Sequence, residues 1–203
     1  LHDALPIFTE SRRKIREIRK QGQKVSFNGW LVHSIAKVLQ SHPEAAAYVY
    51  NKKKLIIFND IHVAMLVEKN LGEKRVPIPM VIERANGKTA EEITLEIEQA
   101  KSQPLGPEDI VLQKKEARME KMYYHMPGFI RRKFWQILLK NPKSAFKKMG
   151  NVAITSVGTA GKINGWFIHK SVHPVSFGIG SILQKPVVIN NEIKIREILN
   201  MTI

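Results

Sequence analysis

Residues 154 to 161 read Ile154-Thr155-Ser156-Val157-Gly158-Thr159-Ala160-Gly161. A β-type run stops on two adjacent hydroxyls and then turns on glycines. A hydroxyl at a strand end can donate to the oxyanion that develops when an acyl group is attacked. Glycines at such a place let a ligand approach the backbone. Neighbouring residues of a strand face opposite ways, so only one of Thr155 and Ser156 serves a given pocket. Either is a candidate oxyanion donor, and Gly158 and Gly161 are candidate contacts for a cofactor or acyl group. Taken alone, the same run also fits an ordinary glycine-rich turn.

Other chemistry is sparse. The chain has no phosphate loop of the form G-x-x-x-x-G-K and no G-x-S-x-G nucleophile elbow. It has no cysteine, which removes disulfides, thiolate metal sites and a cysteine nucleophile together. Its histidines are His2, His33, His42, His62, His125, His169 and His173, and none has a second ligand at metal-site spacing. His33 falls inside a helix and His62 near the start of a strand, where a packing role is the expectation. His169 and His173 flank the glycine-rich segment and remain open. The acids Glu91 and Glu92 sit at a helix start, where they suit the dipole.

These groups need elements to hold them. The spacing predicts a basic helix over about Thr9 to Gln21, with a thin apolar stripe of Phe8, Ile15 and Ile18. A second helix over Ser26 to Ser41 places Phe27, Trp30, Leu31, Ile35, Val38 and Leu39 on one face, and Pro43 closes it. A hairpin follows, Tyr48 to Tyr50 and Leu55 to Phe58 across Asn51 to Lys54. Ile61 to Val67 and Val76 to Ile82 are two more strands, and Pro77 and Pro79 give the second an edge position. Thr89 and Glu92 form a capping box for a helix to Gln103. Strands then run over Val152 to Val157 and Val172 to Leu183. A further hairpin joins Val187 to Ile189 with Ile193 to Ile195, and Met201-Thr202-Ile203 begins another strand. The fold class expected is α+β, with a mixed or antiparallel sheet and helices on one face.

The 203 residues suffice for one domain, spanning 9–203, with residues 1–8 read as an unstructured fragment edge. Hydrophobic content is 43% and charged content 25%, ordinary for a globular protein. The missing cysteines are compatible with a reducing cytoplasm. The net charge of +15 favours polyanions such as nucleic acid, anionic lipid or phosphorylated cofactors, and also serves simple solubility. From Lys121 to Gly150 there are eight Lys or Arg and no Asp or Glu. Residues 107–149 therefore read as a basic helical insertion. It either packs on its own domain or, through residues 107–148, meets an anionic membrane surface or a protein partner.

The run Thr155-Ser156-Val157-Gly158 resembles the hydroxyl-x-x-Gly signature of dihydrolipoamide acyltransferases, the core subunits of 2-oxo-acid dehydrogenase complexes. The resemblance continues in order along the chain. It takes in Val25-Ser26-Phe27, His42-Pro43-Glu44, Asn59-Asp60-Ile61-His62-Val63-Ala64-Met65 and Val76-Pro77-Ile78-Pro79-Met80-Val81-Ile82. It then takes in Thr89 to Ala100, His173-Pro174-Val175-Ser176-Phe177-Gly178-Ile179-Gly180 and Lys185-Pro186-Val187-Val188. The insertion is longer and more basic than the typical connection, and looks more like that of small standalone relatives.

The resemblance implies a chloramphenicol-acetyltransferase-like two-layer sandwich, a mixed sheet with helices packed on one face. It implies acyl transfer between coenzyme A and a thiol such as dihydrolipoamide, with the lipoyl group not carried by this chain. It implies a homotrimer or larger cage with its active site between subunits. Thr155 is the residue it carries over to the oxyanion role, with Ser156 as the alternative. The family's general base lies in a His-x-x-x-Asp-Gly motif. No histidine here is followed four residues later by Asp-Gly, and the expectation is a chain cut short before that motif and inactive as it stands. The rival readings are a basic module for nucleic acid or a membrane surface, and an inactive scaffolding relative. Nucleic acid is the weaker partner, since charge supports it and no binding motif does. The acyl group, its acceptor and the coenzyme A contacts are not legible.

Overall fold

The computed structural model describes residues 3–4, 6–51, 53–71, 74–103, 125, 127–130, 132–133, 141–157, 164–166 and 168–203. Most of the basic segment at 107–149 lies outside them, as do Gly158 and Gly161.

A mixed sheet runs in the order β1-β8-β7-β6-β4-β5. Its strands are β1 (Asp3–Ala4), β4 (Val63–Leu71), β5 (Lys74–Ile82), β6 (Val152–Ser156), β7 (Val175–Ile189) and β8 (Glu192–Thr202). The short strands β2 (Tyr48–Tyr50) and β3 (Lys54–Ile56) form a separate hairpin, turned at Asn51 with φ of 51°. β6 is parallel to both β4 and β7, while β4–β5 and β7–β8 are antiparallel. β5 is the edge strand expected from Pro77 and Pro79, which cannot donate to a further ladder. In the chain edge expected to be unstructured, Asp3 and Ala4 pair with Thr202 and Met201 of β8 and Ile7 bridges Ile198, because backbone groups of β8 are open to pairing on that side.

The α-helices that pack on and around the sheet are α1 (Thr9–Lys20), α2 (Phe27–Ser41), α3 (Ala90–Ser102) and α4 (Pro142–Met149). Ser26 caps α2 by accepting from the Gly29 amide, and Thr89 with Glu92 makes the expected capping box on α3. One core joins α2 and α3 to the sheet, with Leu31, Val32, Ile35, Ile93, Val63 and Val152 among its buried members. Gly29 lets the two helices touch, because a methyl group there would run into Thr94 Oγ1 and come within 2.9 Å of the Ala90 carbonyl. Phe8 packs edge-on against Phe27 and Trp30, at 5.4 and 5.8 Å between ring centres, and so seats the entry to α1.

Two local readings change. The inward stripe of α2 is Leu31, Val32, Ile35, Ala36 and Leu39, and Val38 is 61% exposed. At 100° per residue the five buried positions span one arc, and Val38 lies about 90° from its centre, just outside it. The hairpin at Asn190-Asn191 and the expected C-terminal strand are one unit, since β7 and β8 pair continuously but for an irregularity between Ile179 and Ile182. Gln184 and Lys185 are polar yet strand-forming, because that arm of the hairpin is open to solvent and polar side chains cost nothing there.

Candidate active site

β6 is five residues long, whereas its neighbours β4 and β7 have nine and fifteen. Its carboxyl end, at Thr155 and Ser156, is therefore a place where the sheet loses its middle strand. In sheets with parallel strands, ligands collect outside such strand ends.

The start of β6 is fixed by a buried asparagine. Asn151, 0% exposed, accepts the His62 amide at 2.8 Å and donates to the Asp60 carbonyl at 3.3 Å. The amides of Asn151 and Val152 both reach the His62 carbonyl, at 3.1 Å. Gly150 precedes them with φ of +77°, and a Cβ there would lie 2.5 Å from the His62 carbonyl oxygen. Asn86 holds the same stretch from another side, accepting the Ile61 amide and donating to the Asn59 carbonyl. None of Gly150, Asn151 and Asn86 stood out in the sequence. Their value comes from which backbone groups they meet across the fold.

From this anchor the strand alternates. Ile154 is buried toward α2, Thr155 is half-buried on the opposite face, and Ser156 is exposed on the α2 side. Ser156 lines a cleft between α2 and the sheet. Asn28, Leu31 and Val32 come from α2, Met65, Val67 and Glu68 from β4, and Ile154 and Ile179 from the two parallel strands. It also lines a second cleft beside Phe27, Gly180 and Leu199.

Thr155 looks onto a different set of groups. It stands in register with Gly178 of β7, and Gly178 in turn with Thr202 of β8. The ring of His169 covers Gly178, with Nε2 2.7 Å from Ser176 Oγ and Nδ1 3.4 Å from Thr202 Oγ1. Asn200 donates to the Gly165 carbonyl at 2.8 Å, which ties Gly165 to the same face. The two candidate hydroxyls are thus brought to one strand end but to opposite faces. Gly158 and Gly161, the candidate contacts for coenzyme A or the acyl group, fall outside the described residues.

The other histidines divide as follows. His173 donates from Nε2 to the Met149 carbonyl at 2.9 Å and accepts at Nδ1 from Ser171 at 2.7 Å. It ties its loop to the end of α4, and burial pushes its pKa down, against the pull of the Met149 carbonyl. His33 donates to the Lys88 carbonyl at 2.8 Å and packs within α2. His62 is 8% exposed and its ring packs at a tilt against Phe146, 4.2 Å between centres, with its Nδ1 buried and without a hydrogen-bond partner. Burial lowers its pKa most, and Asp60 and Glu83 pull the other way. Among the described residues no group of three acids or histidines could hold a metal ion, and no helix is long and apolar enough to cross a membrane.

Residues 7–111, half of the chain, match the family of 2-oxoacid dehydrogenases acyltransferase (catalytic domain). The chain belongs to this family. It is a catalytic domain of the dihydrolipoamide acyltransferase type, and the family is one of acyltransferases of 2-oxo-acid dehydrogenase complexes. No curated protein sequence matches the chain. Solved acyltransferase structures share its fold. A probable dihydrolipoamide acetyltransferase from Listeria monocytogenes superposes with a TM-score of 0.64 at 16% identity, over 98% of this chain and 71% of that one. The cubic core of a pyruvate dehydrogenase multienzyme complex does so with 0.63 at 16% identity, over 98% and 69%. Dihydrolipoamide acetyltransferase from Azotobacter vinelandii does so with 0.61 at 16% identity, over 98% and 69%. The acyltransferase domain here thus keeps the family's α+β sandwich at very low identity.

Proposed function

We propose that this domain transfers an acyl group between coenzyme A and a thiol of the dihydrolipoamide kind. The observation that carries the reading is the pair of hydroxyls, Thr155 and Ser156, at the open end of the short central parallel strand. The acceptor thiol gives up its proton to a base, and its sulfur attacks the thioester carbon. The carbonyl electrons move onto oxygen, and a tetrahedral oxyanion forms. As the carbon–sulfur bond to coenzyme A breaks, the oxyanion collapses to a new thioester and the departing thiolate takes the proton.

Thr155 is the proposed donor to that oxyanion, by its place in the hydroxyl-x-x-Gly run. Its half-buried position among Gly178, His169 and Thr202 supports the assignment, since a water-poor surrounding strengthens such a hydrogen bond. Ser156 is the alternative, supported by its exposure to the cleft under α2. The base is assigned to no residue, because no histidine of the chain carries the His-x-x-x-Asp-Gly pattern. The surplus of positive charge suits a phosphorylated acyl carrier.

Assembly as a homotrimer or larger cage belongs to the same proposal. The structural neighbours include the cubic core of a multienzyme complex and a truncated catalytic core from Thermoplasma acidophilum. The test is acyl transfer from acyl-coenzyme A to dihydrolipoamide by the full-length protein, with light scattering for the assembly. No transfer above the uncatalysed rate, across several acyl donors, would end the proposal.

A further inference from the structure

The cleft beside Ser156 has a volume of about 150 Å³. Its floor is aliphatic throughout: Leu31, Val32, Met65, Val67, Ile154 and Ile179. Five of these are at most 5% exposed in the whole fold, and Met65 is partly buried against the same core. Polar groups stand only at the rim, where Ser156 and Asn28 are joined by Glu68 and Lys101. The two rim charges are of opposite sign, so the cleft presents no net charge to a ligand.

A cavity of about this size with aliphatic walls holds a benzene-sized molecule, which is about six carbons. A carboxylate placed on that floor would lose its hydration with no partner to replace it. An acetyl group would leave most of the floor uncovered. The cleft opens at the strand end that carries the proposed oxyanion donor: Ser156, next to Thr155 but on the other face, both ends β6 and forms a stretch of the rim, so a tail turned round that end from a thioester at Thr155 reaches it. We infer that this cleft receives the hydrocarbon tail of the acyl group. The preferred donors are then uncharged acyl groups of about four to six carbons, straight or branched, in place of acetyl or succinyl. This inference rests on the acyl-transfer reading above.

The experiment compares acetyl-, isovaleryl-, hexanoyl- and succinyl-coenzyme A with the full-length protein, by kcat/KM for transfer and by calorimetric Kd. Each methylene that enters the cleft favours the longer donor, and hexanoyl should lead acetyl by about tenfold or more in both measurements. Asn28→Trp narrows the mouth and should lower the hexanoyl-to-acetyl ratio. Met65→Ala deepens the floor and should move the optimum to a longer chain. A preference for acetyl overturns the inference, as does a preference for succinyl, which would make Lys101 the selecting group. Ratios that neither substitution moves also overturn it. Should no donor be turned over while hexanoyl-coenzyme A still binds more tightly and the binding ratio follows both substitutions, the acyl-chain cleft stands and the transfer reading falls.

Discussion

Gly178 and His169 fit against each other so closely that a methyl group on Gly178 would lie 2.6 Å from Nδ1 of the histidine ring. The same methyl group would strike the Thr202 hydroxyl. Gly178 sits between Thr155 and Thr202 on three neighbouring strands, so its missing side chain is what lets the His169 ring lie over that row. Gly178→Ala should therefore push His169 off Ser176 and Thr202. Overpacking of this kind costs about 1–3 kcal/mol. The expected result is a lower melting temperature, read by calorimetry, together with changed chemical shifts of the His169 ring in NMR spectra at fixed pH. A variant with unchanged melting and unchanged His169 resonances would show that the glycine is not needed there.

Thr155→Ala and Ser156→Ala separate the two hydroxyls. If Thr155 meets the oxyanion, its loss should lower kcat by about a hundredfold or more and change KM much less. Ser156→Ala should then act mainly on KM, through the cleft it borders. Reversed effects would move the oxyanion role to Ser156. Both are small-for-polar changes at a strand end, so equal melting temperatures serve as the control.

Stability should fall as pH drops below neutral. The pKa values of His62 and His173 are both lowered in the fold, chiefly by burial. Above the unfolded value of about 6.5 both rings are neutral in either state and neither adds a pH dependence. As pH falls through that value, the unfolded chain takes up protons that the native one resists, and unfolding is favoured. The decline should level off once pH passes below the folded pKa values. Around His62 the acids Asp60 and Glu83 soften the effect, and Arg84 and Lys88 sharpen it. Denaturant midpoints between pH 7.5 and 5 should show the slope, and His62→Leu should flatten it. An equal slope in that variant would place the dependence elsewhere.

The basic segment at 107–148 is proposed to meet an anionic surface. Its final helix α4 carries Lys143, Lys147 and Lys148 exposed, while Phe146 stacks on Phe58 at 3.9 Å and ties the helix to the domain. Co-sedimentation with vesicles containing anionic lipid is the measurement. Binding at low salt that vanishes when residues 107–140 are deleted, with α4 and the fold retained, supports the proposal. Equal binding with and without the segment, or none at low salt, leaves a structural insertion.

Gly29→Ala tests the α2–α3 contact. The added methyl group meets Thr94 Oγ1 and the Ala90 carbonyl, both held by their own hydrogen bonds. Backbone cannot yield as a flexible side chain does, so the helix propensity gained from alanine should be outweighed. A loss of about 1–3 kcal/mol in denaturant unfolding is expected. A gain would show that the helices separate freely.

Local rules alone were enough for much of this chain. The helix start near Ser26, the capping box at Thr89, the edge position of Pro77 and Pro79, and the turn at Asn190-Asn191 depend on residues a few positions apart, and each was legible from its own neighbourhood. The order of short motifs also carried the family. What no local rule reached was how distant segments meet. β6 is central and parallel to two strands because Asn151 joins it to Asp60 and His62, some ninety positions earlier, and an asparagine in sequence does not announce that partner. The opposite facing of Thr155 and Ser156 follows from strand geometry, and the sequence had it. Which groups wait on each side, His169 and Thr202 on one and the aliphatic cleft under α2 on the other, was decided only by packing α2, β4, β7 and β8 around that strand. Side-chain period is local, and the neighbours a side chain meets are set by the whole chain.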